Sequence, residues 1–420
     1  MKKDRVTSPA LALAFAFLLQ PLSCLFAQGP LTPPGAPAPT MKTLDQLDAK
    51  LDKRTPITSV PFIINAAGSY YLTSNFTAIG SASGIIISAD NVTVDLGGFV
   101  LFGTLSGTAP GISVPAAQKN VHLRNGTIRN WNGSGIAASS VTNSVFRDLR
   151  LSDNFDNGLV TGAGVLVVDC VADSNIVGLN VGAGSTIRSC TVSNNLSDGI
   201  SSGGGCTITG CTARGNNGNG ILASAGCTVV ACTAIGNVAG NGIQAGAQSV
   251  VKDSASSGNN GAGIKVSGDR SIVESCSADS NGGMGIVAAG NGTGTVIRKC
   301  SAADNLSDGI NAYRNCLIID NLSTGNGNGG PFAAGIHVTS FGNRIEGNVV
   351  STNDTGILIN ESGTANLVFR NTATGNTKQF DILANNKVGT IVSPPNSGVI
   401  NGSTGGAGMG STDPFVNISH

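Results

Sequence analysis

A Gly-Ile or Gly-Leu pair returns thirteen times, at Gly84, Gly111, Gly135, Gly158, Gly178, Gly199, Gly220, Gly242, Gly263, Gly285, Gly309, Gly335 and Gly356. The mean interval is roughly 23 residues, and the central intervals are 20 to 22. A fixed period of this length means stacked units, each too small to bury its own apolar side. Further columns keep the same register. Val167, Ile187, Ile208, Val229, Val251, Val273, Ile297, Ile318, Ile345 and Val368 form one, all β-branched. Three residues later a second column runs Leu149, Cys170, Cys190, Cys211, Cys232, Ser254, Cys276, Cys300, Asn321, Asn348 and Asn371. Two residues further the position is small or apolar, as in Val192, Ala213 and Ala234. Alternation such as Cys206-Thr-Ile-Thr-Gly-Cys211-Thr-Ala has a period of two, the mark of short strands with one face inward. Gly and Asn clusters supply the bends, because both tolerate left-handed backbone angles.

Three short strands per repeat, stacked column on column, describe an all-β parallel solenoid of about thirteen coils spanning residues 60–385. Composition agrees. Gly accounts for 60 of 420 residues and charged residues for 11%, against a usual ~25% charged. Hydrophobic residues make up 40% and mean hydropathy is +0.16, so the chain is not the charge-rich, core-poor kind that stays unfolded. A net charge of +0 argues against a nucleic-acid partner, which calls for a basic surface.

The pattern Asn/Cys-x-Ile-x-x-Asn/Cys-x-Ala/Val, followed by Asn-x-x-x-Gly-Ile, resembles the right-handed parallel β-helix repeats of the pectin-lyase-like superfamily. It is also similar to the repeats of periplasmic nitrous-oxide-reductase maturation proteins. The run from Gly68 to Gly103 resembles the first coils of secreted members of that superfamily. The resemblance implies the right-handed turn and covers most of the chain. It is specific for fold and not for function, since one fold hosts many chemistries.

The ends read differently. Lys2, Lys3 and Arg5 precede the apolar run Leu11–Leu19, and small residues follow to Ala27. This is the form of a cleavable signal peptide over residues 1–27. Lipid anchoring through Cys24 is not expected, because Pro21 stands where a lipoprotein signal has Leu. The chain is therefore expected to be secreted or periplasmic, with no later segment approaching the ~20 apolar residues of a membrane span. Residues 28–40 are a Pro-rich linker. Met41, Leu44, Leu47 and Leu51 recur at helical spacing, which predicts a short amphipathic helix over 41–59 capping the first coil. Residues 386–420 are rich in Gly, Ser and Pro and read as a tail.

Candidate chemistry is sparse. The nine cysteines beyond the signal share columns with Leu, Ser and Asn, which favours inward packing over metal ligation; a disulfide between stacked positions stays open. No metal site and no cofactor is expected. Asp148 and Asp169 stand at one position in adjacent coils, so stacking sets them roughly 5 Å apart. They are the one candidate catalytic pair, and two solvated bend residues are the plainer reading. Lys252, Glu274 and Arg298 alternate in sign at one column, as in a surface salt-bridge ladder. Asp198 and Asp308, each in Asn-Leu-Ser-Asp-Gly-Ile, read as bend residues, and His337 as an ordinary outward histidine.

In the pectinase-like group the site lies on the outer face of the strand after the Gly-Ile pair. Here that face carries Asn180, Gln244, Lys265, Asn311 and His337, the candidate binding residues. The polygalacturonase, pectate-lyase and alginate-epimerase motifs are absent. The expectation is an exported non-catalytic scaffold contacting a polysaccharide or cell-surface partner. The alternative is a polysaccharide lyase, hydrolase or epimerase with an unrecognised site.

Overall fold

The computed structural model describes residues 43, 53–327, 333–360, 365–393, 399–402 and 414–420. Every regular element among them is a β-strand. Each coil contributes three strands, which we call first, second and third. In one central coil these are Thr186–Arg188, Thr191–Ser193 and Ile200–Ser202. Each pairs in parallel with its counterpart one coil on, for example Ile187 with Ile208 and Val192 with Ala213. The third strands form a sheet of sixteen, from Phe62–Ile64 to Val399–Gly402. The first and second strands form two further stacks. Val121–Arg129 and Val145–Ser152, long enough to run around the corner, join these two into a single sheet of thirty.

The core is the continuous file that the columns foretold. Ile187, Ile208, Val229, Val251, Val273, Ile297, Ile318, Ile345 and Val368 are all fully buried. A coil of this size cannot enclose them, but its two neighbours close both sides. Burial of each such side chain contributes about 1.5–3 kcal/mol.

Polar residues inside the coil form ladders along the axis. Asn154, Asn175, Asn195, Asn216, Asn237, Asn259, Asn281, Asn305, Asn326, Asn353 and Asn376 are all buried. Asn216 shows the pattern. Its Oδ1 accepts from the Asn195 backbone N–H (3.1 Å) and from Asn195 Nδ2 (2.8 Å), while its Nδ2 donates to Val192 O and to Asn237 Oδ1. Bend backbone with no strand partner inside the core is thereby satisfied. The ladder also explains the Gly-Ile pairs. A Cβ on Gly220 would lie 2.6 Å from Asn237 Nδ2 and 2.7 Å from Gly242 O, so no larger residue fits there.

The column holding the cysteines is likewise internal. Cys211 Sγ donates to Thr209 O (3.5 Å), Ser254 Oγ to Lys252 O (2.8 Å), and Asn321 Nδ2 to Ile297 O (3.0 Å). From Cys170 onward the slot takes a small donor, which is why Cys, Ser and Asn exchange there, while Leu149 fills it with an apolar side chain. All nine cysteines beyond residue 53 are free and buried.

The ends depart from expectation. The signal peptide over 1–27 and the linker over 28–40 lie outside the described residues, as do residues 41, 42 and 44–52 of the capping helix expected over 41–59. At the end of that span Thr55–Ile57 is a strand, paired with Tyr70–Leu72. The coils also run past residue 385. Lys387–Val388, Ile391–Val392 and Asn417–Ser419 extend the first and second stacks, and Val399–Gly402 closes the third. Asn417 accepts from the Asn371 backbone N–H (3.0 Å) and so extends the column of Asn321, Asn348 and Asn371. Periodicity misses it because 46 residues, not about 22, separate the two. Three third strands lack a Gly-Ile pair, Phe62–Ile64, Lys378–Ile382 and Val399–Gly402, hence sixteen strands where thirteen pairs were counted.

Candidate functional site

Each coil turns from its first to its second strand through a single residue with left-handed backbone. These include Asn125 (φ 60°), Asp148 (52°), Asp169 (56°), Ser189 (53°), Gly210 (61°), Ala231 (52°), Asp253 (49°), Ser275 (53°), Lys299 (54°) and Asp320 (54°). That residue turns the chain at the corner between the two strands. Two cavities open on this corner. One, of about 180 Å³, is lined by Asn125, Asp148, Arg150, Asp169 and Val171 among others. The other, of about 670 Å³, is lined by Asp253, Ser275, Ser277, Lys299, Ser301 and Asp320 among others. Both use the corner residue and the first outward residue of the second strand. In the coils between, the same outward position holds Thr191, Thr212 and Thr233. The corner from Asn125 to Asp320 counts ten coils, about 43 Å at the ~4.8 Å strand spacing.

Asp148 and Asp169 therefore share a recess. Asp148 is half exposed and its Oδ2 accepts from Arg147 Nε at 3.0 Å. On the wall beside the larger cavity, Glu274 bridges Lys252 (3.8 Å) and Arg298 (3.1 Å). The hydrogen bond from Arg298, helped by the positive charges around it, holds the Glu274 carboxyl below its ordinary range. This is the salt-bridge ladder the sequence indicates.

The outer-face residues Asn180, Gln244, Lys265, Asn311 and His337 all fall on one row of the third sheet. Register pairs Gln244 with Lys265 and Asn311 with His337, while Val287 separates Lys265 from Asn311. Gln244 accepts from Asn241 Nδ2 (2.8 Å). His337 is not an ordinary outward histidine. Its side chain is 12% exposed, and its Nδ1 lies 2.9 Å from Oδ2 of Asp308, itself 3% exposed. Asp308 also accepts from Asn311 Nδ2 (2.8 Å) and the Ala334 backbone N–H (2.9 Å). His337 Nε2 lies 3.1 Å from Asn360 Oδ1. Burial alone would lower the imidazole pKa, but the hydrogen bond and charge of Asp308, with the Asn360 contact, outweigh it and raise the pKa.

Sequence reasoning missed Asp308 because its twin Asp198 carries out the bend role alone. Asp198 Oδ1 accepts from the Asn219 backbone N–H (2.7 Å) and Asn219 Nδ2 (3.0 Å). Asp308 Oδ1 likewise accepts a backbone N–H one coil on, from Ala334, and its second oxygen meets both Asn311 Nδ2 and His337 Nδ1. The available signal was the Gly-Ile register, which sets Asp308 one coil before the residues preceding His337. Among the described residues no group of three or more His, Cys, Asp or Glu is placed to hold a metal ion.

The family model for the right-handed β-helix region matches residues 63–206, 110–252, 199–343 and 241–396. No curated protein matches the chain. Among solved structures, it is similar to the A-module of the Azotobacter vinelandii mannuronan C-5 epimerase AlgE6, at 16% identity over 80% of this chain and 91% of that one, with a TM-score of 0.48. It is also similar to the catalytic domain of a GH87 α-1,3-glucanase, at 10% identity over 93% and 70%, with a TM-score of 0.41. The tailspike protein of Escherichia coli bacteriophage HK620 is 13% identical over 84% and 72%, with a TM-score of 0.31. Identities this low carry no site residue across.

Proposed function

Because the chain belongs to the right-handed β-helix family, whose model matches it across residues 63–396, we propose that its function lies on the outside of the coils, as an exported, non-catalytic scaffold that holds a polysaccharide. The observation that carries this reading is that both cavities open at the same corner of the coil. A groove built by a repeating unit repeats along the axis, and its natural occupant is a linear polymer with a repeat of its own. Its lining of Ser and Thr hydroxyls, Asp carboxylates and single Arg and Lys side chains suits a polyhydroxylated chain. Export rests on the basic and apolar leader before Ala27.

The test is a glycan array probed with the soluble chain, followed by calorimetry on the retained glycan. Ser277→Trp and Ser301→Trp fill the groove without touching the core, since both side chains point outward. Binding is expected to weaken at least tenfold in each variant while the unfolding midpoint stays put. Absence of binding to any glycan, or unchanged binding by both variants, overturns the reading.

A second reading is favoured by the shared recess of Asp148 and Asp169. Stacking sets their backbones ~4.8 Å apart, near the ~5–5.5 Å carboxyl separation of retaining glycosidases. Release of reducing ends from the retained glycan, abolished in Asp148→Asn and Asp169→Asn, would make the protein a hydrolase.

A further inference from the structure

The cluster around His337 faces away from the groove, on the third sheet. Asp308 is buried and accepts three hydrogen bonds, one of them across 2.9 Å from His337 Nδ1. That bond fixes which ring nitrogen faces inward and holds the ring plane. Nε2 then points to the surface, where it meets the carboxamide oxygen of Asn360, an exposed residue one coil on. With the Oδ1 of Asn360 turned to the ring, Nε2 carries a proton and both ring nitrogens donate, the state that the raised pKa of His337 favours. The resulting imidazolium is already balanced by the Asp308 carboxylate. The outward N–H therefore needs no anion, and an uncharged amide oxygen is a sufficient partner. Tyr313 and Thr339 lie on the same outward row as Asn360, two residues along from Asn311 and His337, as the pairing of Ala312 with Val338 and of Val338 with Ile359 requires.

We propose that the outward nitrogen of His337 receives the carbonyl oxygen of an acetamido group, so that this face recognises N-acetylated amino sugars. The ligand's amide replaces the amide of Asn360 one for one, which conserves the hydrogen-bond count. The inference rests on the polysaccharide reading for the kind of molecule, but it uses a separate surface. Other charges near the row are distant or already engaged. Lys265 is three coils toward the N-terminus, about 14 Å away at the strand spacing. Asp381, two coils toward the C-terminus, is paired with Lys378 at 3.1 Å. Arg314 lies over the Tyr313 ring at 5.6 Å.

The probes are the trimer of N-acetylglucosamine, its de-N-acetylated counterpart and the glucose trimer, titrated against the full chain. His337 ring signals and calorimetry are the two readouts. The acetylated trimer is expected to bind at least tenfold tighter than either control. Above the raised pKa of His337 its affinity should fall about tenfold per pH unit, because binding takes up the proton on Nε2. Asn360→Ala removes the internal competitor and should tighten binding several-fold; His337→Ala should abolish the preference. Ser277→Trp, on the far corner, should leave trimer binding intact. Equal affinity for the three sugars, a flat pH profile, or weaker binding by Asn360→Ala overturns the proposal. If no trimer binds while a polymer is retained in the groove, this inference fails and the polysaccharide reading stands.

Discussion

Buried asparagine is the residue on which the interior depends. Asn216 takes two hydrogen bonds from the coil before it and gives others to Val192 O and Asn237 Oδ1. Replacing it by Ala leaves the Asn195 backbone N–H without its acceptor and removes one acceptor from Asn195 Nδ2, while Asn237 Oδ1 keeps only the backbone N–H of residue 216, all in a dry interior. Each such group costs about 1–3 kcal/mol. Asn216→Ala should therefore lower stability by about 3 kcal/mol in urea unfolding, whereas Asn217→Ala, exposed next door, should change it by less than about 0.5 kcal/mol. The sequence pattern Asn-x-x-x-Gly-Ile contains both residue types, and the glycine of each coil makes room for the asparagine of the next, as Gly199 does for Asn216. What it does not display is that Asn216 points inward, since Asn is as common in exposed bends.

Strands of three residues are too short to be stable alone, and what positions them is the left-handed corner. Where that corner is Ala231 or Lys299, a side chain occupies a backbone conformation that costs roughly 1–2 kcal/mol. Ala231→Gly should thus raise stability by about 1 kcal/mol, read as a shift in the denaturant midpoint at constant slope; a loss would mean the corner is not left-handed. The cysteine file belongs to the same scale. Cys190 is pushed up to about 12, first by its hydrogen bond with Cys170, and Cys211 likewise by Cys190. The hydrogen bond with Cys206 instead draws Cys227 down to about 6, and that with Cys276 lowers Cys300, so burial, which keeps reagents from all nine, is what makes them poor nucleophiles. The nine described cysteines should resist alkylation in the folded protein and all react after unfolding without reductant. A mass deficit of two protons per pair would instead reveal disulfides.

On the scale of the whole molecule, the polysaccharide reading predicts that affinity depends on ligand length along the corner, whose two cavities lie toward opposite ends of about ten coils. Oligosaccharides of one series should bind more tightly with each added sugar until the chain spans the corner from Asn125 to Asp320, and then level off. A plateau at two or three sugars would place recognition in one cavity and not along the axis. Much of this architecture was legible in the chain alone. Gly-Ile spacing, the β-branched file and the alternation of two determined that parallel coils stack in register, because a one-residue slip would turn every Ile and Val outward. The closing coil was not legible, since Asn417 joins the column of Asn348 and Asn371 across a stretch of sequence that has no period. Nor was the pairing of Asp308 with His337, 29 residues apart, on different coils and separated by a loop of irregular length. Periodicity reports which residues share a column. Only the three-dimensional winding decides which side chains from different columns meet, and there the corner cavities and the buttressed imidazole arise.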